Sequence, residues 1–66
     1  MEKIRLKELR ESKGLTQMQL AKEIGVNHRT ISQYENGINE PDIKTIKTLA
    51  KFFDVTVGQI LGTEEL

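Results

Sequence analysis

The amino-acid sequence predicts an all-α domain built from five helices. Apolar residues recur at helical spacing in several separate segments, and no segment alternates apolar and polar residues as a strand does. Residues that cap helices precede these segments, and glycines follow several of them. With 66 residues and no cysteine, the chain allows one domain with a small core that no disulfide reinforces. We expect one domain over residues 1–66, with an ordered core over about 3–61 and a frayed tail over 62–66.

A first amphipathic helix is predicted over about residues 2–13. Leu6 and Leu9 lie three residues apart among charged side chains, so both should face the core. Gly14 follows the pattern and is placed to end the helix.

The second and third helices form the most informative segment. Thr16 and Gln19, three residues apart, predict a capping box at the start of the second helix, and Gly25 supplies the left-handed residue that ends it. Asn27 is placed to cap the third helix, and Gly37 to end it. A short turn therefore separates the two helices.

The third helix has an outward face of unusual composition. At about 100° per residue, an arc of about 140° carries five polar side chains: His28, Arg29, Ser32, Gln33 and Asn36. Ile31, Tyr34 and Thr30 lie on the other side, which should face the core. Exposed helix faces usually carry Lys and Glu, but this face has neither. Its directional donors and acceptors match base edges and phosphate oxygens.

Two further helices complete the prediction. Asp42 is placed to cap the fourth helix, which has a long apolar stripe: Ile43, Ile46, Leu49, Ala50 and Phe53. A basic stripe on its surface is either a phosphate track or, as is commoner, a solvated face: Lys44, Lys47 and Lys51. Thr56 and Gln59 form a second capping box, which predicts a short fifth helix over about 57–61.

Composition excludes several classes of function. Ten basic and ten acidic side chains cancel, so the chain does not bind nucleic acid by bulk charge. One histidine and no cysteine leave no metal centre, no cofactor motif is present, and Ser12 and Ser32 lack the partners of a catalytic serine. Neither a signal sequence nor a membrane span is predicted. We therefore expect a non-enzymatic cytoplasmic protein without metal, cofactor or membrane.

The chain resembles the lambda repressor-like family of helix-turn-helix regulators, also called Cro-type or Xre-type. The resemblance is carried by the segment LRESKGLTQMQLAKEIGVNHRTISQYENG, followed by PDIKTIKTLAKFFDV. It covers roughly residues 4–61. It implies a five-helix domain in which the third helix enters the DNA major groove and the second lies across the DNA backbone.

The resemblance implies two groups of DNA contacts. The side chains expected to read bases are His28, Arg29, Ser32 and Gln33. The side chains expected to contact the DNA backbone are Gln17, Thr30, Asn36 and Lys44. Arg29 can donate two hydrogen bonds to guanine, and Gln33 can form a pair of hydrogen bonds with adenine.

Several alternatives stay open at these positions. Gln17 could serve only as a helix former, Asn36 only as a helix-end residue, and Arg29 only as a solvated charge. His28 and Ser32 could contact phosphate or solvent instead of a base. Asn27 is assigned to its helix cap and not to base reading.

Arg10 and Glu35 match an arginine and a glutamate that form a buried ion pair in phage repressors of this family. We expect the same pair here, joining the first helix to the end of the third. The alternative is that Arg10 is solvated or contacts DNA directly.

One recognition helix reads too few base pairs to select a genomic site, which implies a homodimer on a palindromic double-stranded DNA operator. The expected dimer interface is Val57, Ile60, Leu61 and Phe52. Core filling beside Phe53 is the alternative for Phe52. We expect a sequence-specific transcriptional regulator, with repression favoured over activation. The alternative is an antitoxin-like module that binds an unknown protein partner through the same fold.

Overall fold

The computed structural model describes residues 4–66, and this part of the chain contains five α-helices and no strand. The all-α prediction is therefore confirmed. The helices are α1 (Leu6–Ser12), α2 (Gln17–Ile24), α3 (His28–Glu35), α4 (Ile43–Phe53) and α5 (Val57–Leu61). None of the helices in residues 4–66 is long and apolar enough to cross a membrane.

Both predicted capping boxes are present. At the start of α2 the Gln19 backbone N–H donates to Thr16 Oγ1 over 3.0 Å, and the Thr16 N–H donates to Gln19 Oε1 over 2.8 Å. At the start of α5, Thr56 and Gln59 make the same two bonds over 3.0 and 2.9 Å. These bonds satisfy backbone donors that a helix start otherwise leaves without partners.

The start of α1 differs from the prediction. The helix begins at Leu6, and Glu2, where it was predicted to start, lies outside the described residues. Arg5 explains the later start. Its backbone N–H donates to the Ile60 carbonyl over 2.9 Å, and its guanidinium donates to the carbonyls of Gln59 and Glu64 over 3.3 and 2.6 Å. A long-range attachment to α5, and not a local cap, therefore sets where α1 begins.

The centre of the core takes one fully buried side chain from each helix: Leu6, Leu20, Ile31, Leu49 and Ile60. Five other apolar side chains complete it: Leu9, Ala21, Ile46, Ala50 and Phe53. Burying a Leu or Ile side chain contributes about 1.5–3 kcal/mol to the stability of the fold. Because each helix supplies one such side chain, all five helices are held at the same centre.

Burial corrects one residue of the expected dimer interface. Ile60 is 0% exposed because the core of its own chain encloses it. It therefore offers no surface to a second protomer. Phe52 is half-buried and packs edge-to-face on Phe53, with ring centroids 5.0 Å apart, while Lys13 Nζ lies 5.5 Å from its ring centroid. Core filling thus accounts for part of the Phe52 surface.

The carboxyl-terminal tail, which is expected to fray, is exposed and makes hydrogen bonds to α5 and to the residue that caps it. The backbone N–H groups of Thr63 and Glu64 donate to the Gly58 carbonyl over 2.9 and 3.1 Å. Gln59 Nε2 donates to the Glu65 carbonyl over 2.9 Å, and Thr56 Oγ1 donates to Glu64 Oε1 over 3.0 Å. A Cβ at Gly58 would lie 2.7 Å from Glu64 Cγ, so the glycine leaves room for the Glu64 side chain in this position.

The predicted Arg10–Glu35 ion pair is confirmed. Arg10 Nε donates to Glu35 Oε2 over 2.6 Å, and Arg10 Nη2 donates to Glu35 Oε1 over 3.2 Å. Arg10 Nη1 also donates to the Leu15 carbonyl over 2.7 Å, so one guanidinium joins α1, the α1–α2 loop and the end of α3. The hydrogen bond to Glu35 raises the pKa of Arg10 above its ordinary value, against the opposing effect of burial.

We predict that Arg10→Met and Glu35→Leu will each lower the free energy of unfolding by about 3–5 kcal/mol, because each leaves a buried charge without its partner. The double variant R10M/E35L should lose much less than the sum of the two. Urea unfolding followed by circular dichroism measures all three. Additive losses would show that the two side chains do not interact.

A second prediction concerns acid stability. Hydrogen bonding by Thr45, through its side chain and its backbone N–H, lowers the pKa of the Asp42 carboxyl below 3.8. A lowered folded-state pKa stabilises the fold above the ordinary value, and this contribution is lost as pH falls through the folded pKa. Asn caps helices without titrating. Asp42→Asn should therefore lose less stability than the native chain between about pH 5 and pH 2, measured by urea unfolding across that range. If the free energy of unfolding fell with decreasing pH as steeply in the variant as in the native chain, this prediction would be wrong.

Candidate nucleic-acid interface

The turn between α2 and α3 is built as the sequence predicts. Gly25 has a φ of 76°, and the Val26 N–H that follows it donates to the Ala21 carbonyl over 2.9 Å, which closes α2. Asn27 Oδ1 accepts the Arg29 N–H over 2.8 Å and caps α3. The assignment of Asn27 to the cap is therefore confirmed. Only three residues separate the two helices, and they pack against each other.

Helix α3 separates into an inner and an outer face. Ile31 is fully buried, and Tyr34 is half-buried against the core. Of the six DNA contacts expected from α3 and the residue that ends it, three are exposed and three are half-buried. His28, Arg29 and Asn36 are exposed, and Thr30, Ser32 and Gln33 are half-buried.

The outer face carries no unpaired carboxylate. Glu35 is the only acidic residue of α3, and it is buried with Arg10 as its partner. Arg29 is the only Lys or Arg of the helix. The pairing of Glu35 therefore removes the one group of α3 that would repel a phosphate backbone, and leaves a cation beside neutral donors and acceptors.

Asn36 and Ser32 contact each other at the end of α3. Asn36 Nδ2 donates to the Ser32 carbonyl over 2.8 Å and to Ser32 Oγ over 3.3 Å. Asn36 is the residue at which the helix ends. This geometry favours the helix-end interpretation of Asn36 in the free protein, while its exposed position keeps it accessible.

Gln17 has a contact that neither sequence interpretation included. It is the first residue of α2, and its Nε2 donates to Glu35 Oε1 over 3.1 Å. The carboxylate thus accepts from both Arg10 and Gln17. One N–H of the Gln17 amide is left over for another acceptor, next to the backbone N–H groups at the start of α2, where an anion is favoured.

Two other polar residues lie around this face. Lys44 is exposed in the first turn of α4, directly after the loop that follows α3. Asn39, in that loop, donates from Nδ2 to Gln33 Oε1 over 2.8 Å. Asn39 was not predicted at this face, because asparagine in a loop between two helices ordinarily indicates only a turn. The sequence does contain one signal for this contact: Asn39, an amide side chain, follows two residues after Gly37, the glycine predicted to end α3.

These features define a helix-turn-helix DNA-binding protein: two short packed helices, a capped second helix, and directional polar groups on its outer face. The chain belongs to the lambda repressor-like, Xre-type helix-turn-helix family, since the family model described as "Helix-turn-helix" matches residues 6–60. In domains of this family, the second helix of the motif enters the DNA major groove.

Similar proteins regulate transcription. The HTH-type transcriptional activator BcrR of Enterococcus faecalis is 42% identical over 62 residues, which are 94% of this chain and 30% of BcrR. The cryptic phage CTXphi transcriptional repressor RstR of Vibrio cholerae is 33% identical over 61 residues, 92% of this chain and 55% of RstR. A crystal structure of a transcriptional regulator from Listeria innocua superimposes with a TM-score of 0.83 at 30% identity, covering 92% of this chain and 57% of that one. This chain thus spans only part of the length of each.

Proposed function

We propose that this domain binds a palindromic operator in double-stranded DNA as a homodimer, with α3 in the major groove and the start of α2 across the DNA backbone. The observation that carries the proposal is the outer face of α3. Arg29 and Gln33 lie there on a helix that is capped at its start and held at its end by the Arg10–Glu35 pair. A helix fixed at both ends presents its side chains in one orientation.

Arg29 and Gln33 are the proposed base readers. Arg29 is exposed and can donate two hydrogen bonds to guanine O6 and N7, while Gln33 can accept from adenine N6 and donate to N7. His28 and Ser32 border them and complete the surface that faces the groove.

The DNA backbone contacts are assigned to neutral donors and one cation. Gln17 lies beside the N–H groups that begin α2, and Lys44 lies in the first turn of α4. Thr30 and Asn36 are assigned to the same role at the two sides of α3. Phosphate contacts of this kind fix the register of a protein on DNA without reading sequence.

The proposed dimer surface is the apolar face of α5 with Ile60 removed from it. Val57 and Leu61 are 37% and 38% exposed, and Phe52 is half-buried nearby in sequence at the end of α4. Exposed apolar side chains on a short helix suit an isologous contact in which the same patch of each protomer meets its copy.

Repression is the proposed direction of control. A protein that occupies a promoter-proximal operator excludes other proteins from it. RstR is a repressor and BcrR is an activator. The position of the operator relative to the promoter, and not the DNA-binding domain itself, would therefore decide between repression and activation. Binding to chromosomal DNA would require the protein to act in the cytoplasm.

We predict that Arg29→Ala and Gln33→Ala will each weaken binding to the operator by about tenfold or more, the value of a bidentate base contact. The operator itself is obtained by selecting bound sequences from random DNA, and it should contain two symmetric half-sites about 34 Å apart. Lys51→Ala is the matched control, since it removes an exposed positive charge from the last turn of α4.

Selection that yields no preferred sequence would overturn base reading. Retention of full operator binding by both α3 variants, together with a stable complex with another protein, would support the antitoxin-like alternative instead. Thermal unfolding of each variant checks that loss of binding does not reflect loss of the fold.

A further prediction tests the dimer. Leu61→Asp should weaken binding to the full operator while leaving binding to a single half-site unchanged, because a charge in an apolar contact opposes association and does not touch DNA. Leu66→Asp places the same charge on an exposed tail residue and should change neither. Sedimentation velocity on the full operator should give two protomers per DNA. One protomer per full operator would exclude the dimer.

A further inference from the structure

The loop after α3 folds back onto the last turn of that helix. Gly37 has a φ of 72°, a conformation that suits glycine. The Gly37 N–H donates to the Tyr34 carbonyl over 3.3 Å, and the Ile38 N–H donates to the Gln33 carbonyl over 2.9 Å. This is a Schellman motif, and it brings the following residue, Asn39, next to Gln33.

The side chains of Asn39 and Gln33 then meet directly. Asn39 Nδ2 donates to Gln33 Oε1 over 2.8 Å, and the Asn39 backbone N–H points to the Gln33 carbonyl over 3.4 Å. The bond uses one of the two lone pairs of the Gln33 oxygen. The second lone pair and both N–H groups of the Gln33 amide are left over for another partner.

The orientation of a glutamine amide decides what it can read. One end of the amide only donates and the other only accepts, and a turn of 180° about the last side-chain bond exchanges them. In the pairing with adenine, the oxygen must face N6 and the nitrogen must face N7. A glutamine that is not held must also lose its rotational freedom when it binds.

We propose that Asn39 is a positioning residue that fixes the orientation of the Gln33 amide, and thereby sets which base Gln33 selects. This inference rests on the proposed role of Gln33 in base reading. Asn39 itself contacts no base. It holds the Gln33 oxygen in place, so that the amide meets DNA already oriented, and it makes the specificity of α3 depend on a loop outside the helix-turn-helix.

Two substitutions of Asn39 have different expected effects. Asn39→Ala removes the bond and leaves Gln33 free to rotate, so discrimination at its base should fall about two- to tenfold, the effect of ordering one side chain. Asn39→Asp offers only acceptor oxygens, so Gln33 must turn its nitrogen towards position 39. The amide ends are then exchanged, and preference for the native base should fall tenfold or more.

The experiment measures the ratio of affinities for the selected operator and for operators altered at the base that Gln33→Ala no longer discriminates. A ratio is needed because Asn39→Asp also adds a negative charge, which weakens binding to all sequences alike. Ile38→Asp is the matched control. It adds the same charge at a neighbouring side chain that is 66% exposed, and it should lower affinity without changing the ratio.

The decisive comparison repeats both Asn39 substitutions in the Gln33→Ala background. In that background both substitutions should leave the ratio of affinities unchanged, because the Gln33 side chain that Asn39 orients is absent. Equal effects with and without Gln33 would overturn the positioning role while leaving base reading by Gln33 intact. If Gln33→Ala itself changes no base preference, base reading by Gln33 fails, and the role of Asn39 fails with it. Circular dichroism of every variant confirms that the exposed loop residue does not affect folding.

Discussion

The orientation of α2 and α3 relative to α1 depends on the buried ion pair between Arg10 and Glu35. Its two side chains connect α1, the loop before α2 and the end of α3, and Gln17 adds the start of α2 to the same carboxylate. Apolar side chains of similar volume could stabilise the fold as well, but they have no preferred direction. The pair supplies direction, since four hydrogen bonds of defined geometry meet at two side chains.

Most of the fold could be predicted because its signals are local. Thr16, Asn27, Asp42 and Thr56 each cap a helix through a backbone N–H two or three residues away, so the sequence contains both partners of each bond. The predicted start of α1 was wrong because Arg5 bonds to residues more than fifty positions away. No pattern of neighbouring residues reports such a contact.

In the candidate site, too, the features that depend on spacing along the chain could be predicted, and the contacts between distant residues could not. Helical periodicity was sufficient to separate Ile31 from the outer residues of α3, because it depends only on spacing. Periodicity could not assign Ile60, which has the same apolar character as Val57 but lies on the buried side of a helix of five residues. Nor could it find the contacts of Gln17 and Gln33, since each joins side chains that meet only when α3 is in place.

The shared centre of the core has a consequence for how the domain is degraded. Each helix contributes one side chain to the same buried centre. Withdrawal of any single helix would therefore open that centre and expose the buried side chains of the other four helices to water. A protease that captured the transiently open chain at any loop would abolish DNA binding in one event. The lifetime of the folded domain would then follow its global stability, so that substitutions distant from α3 could set how long the domain persists.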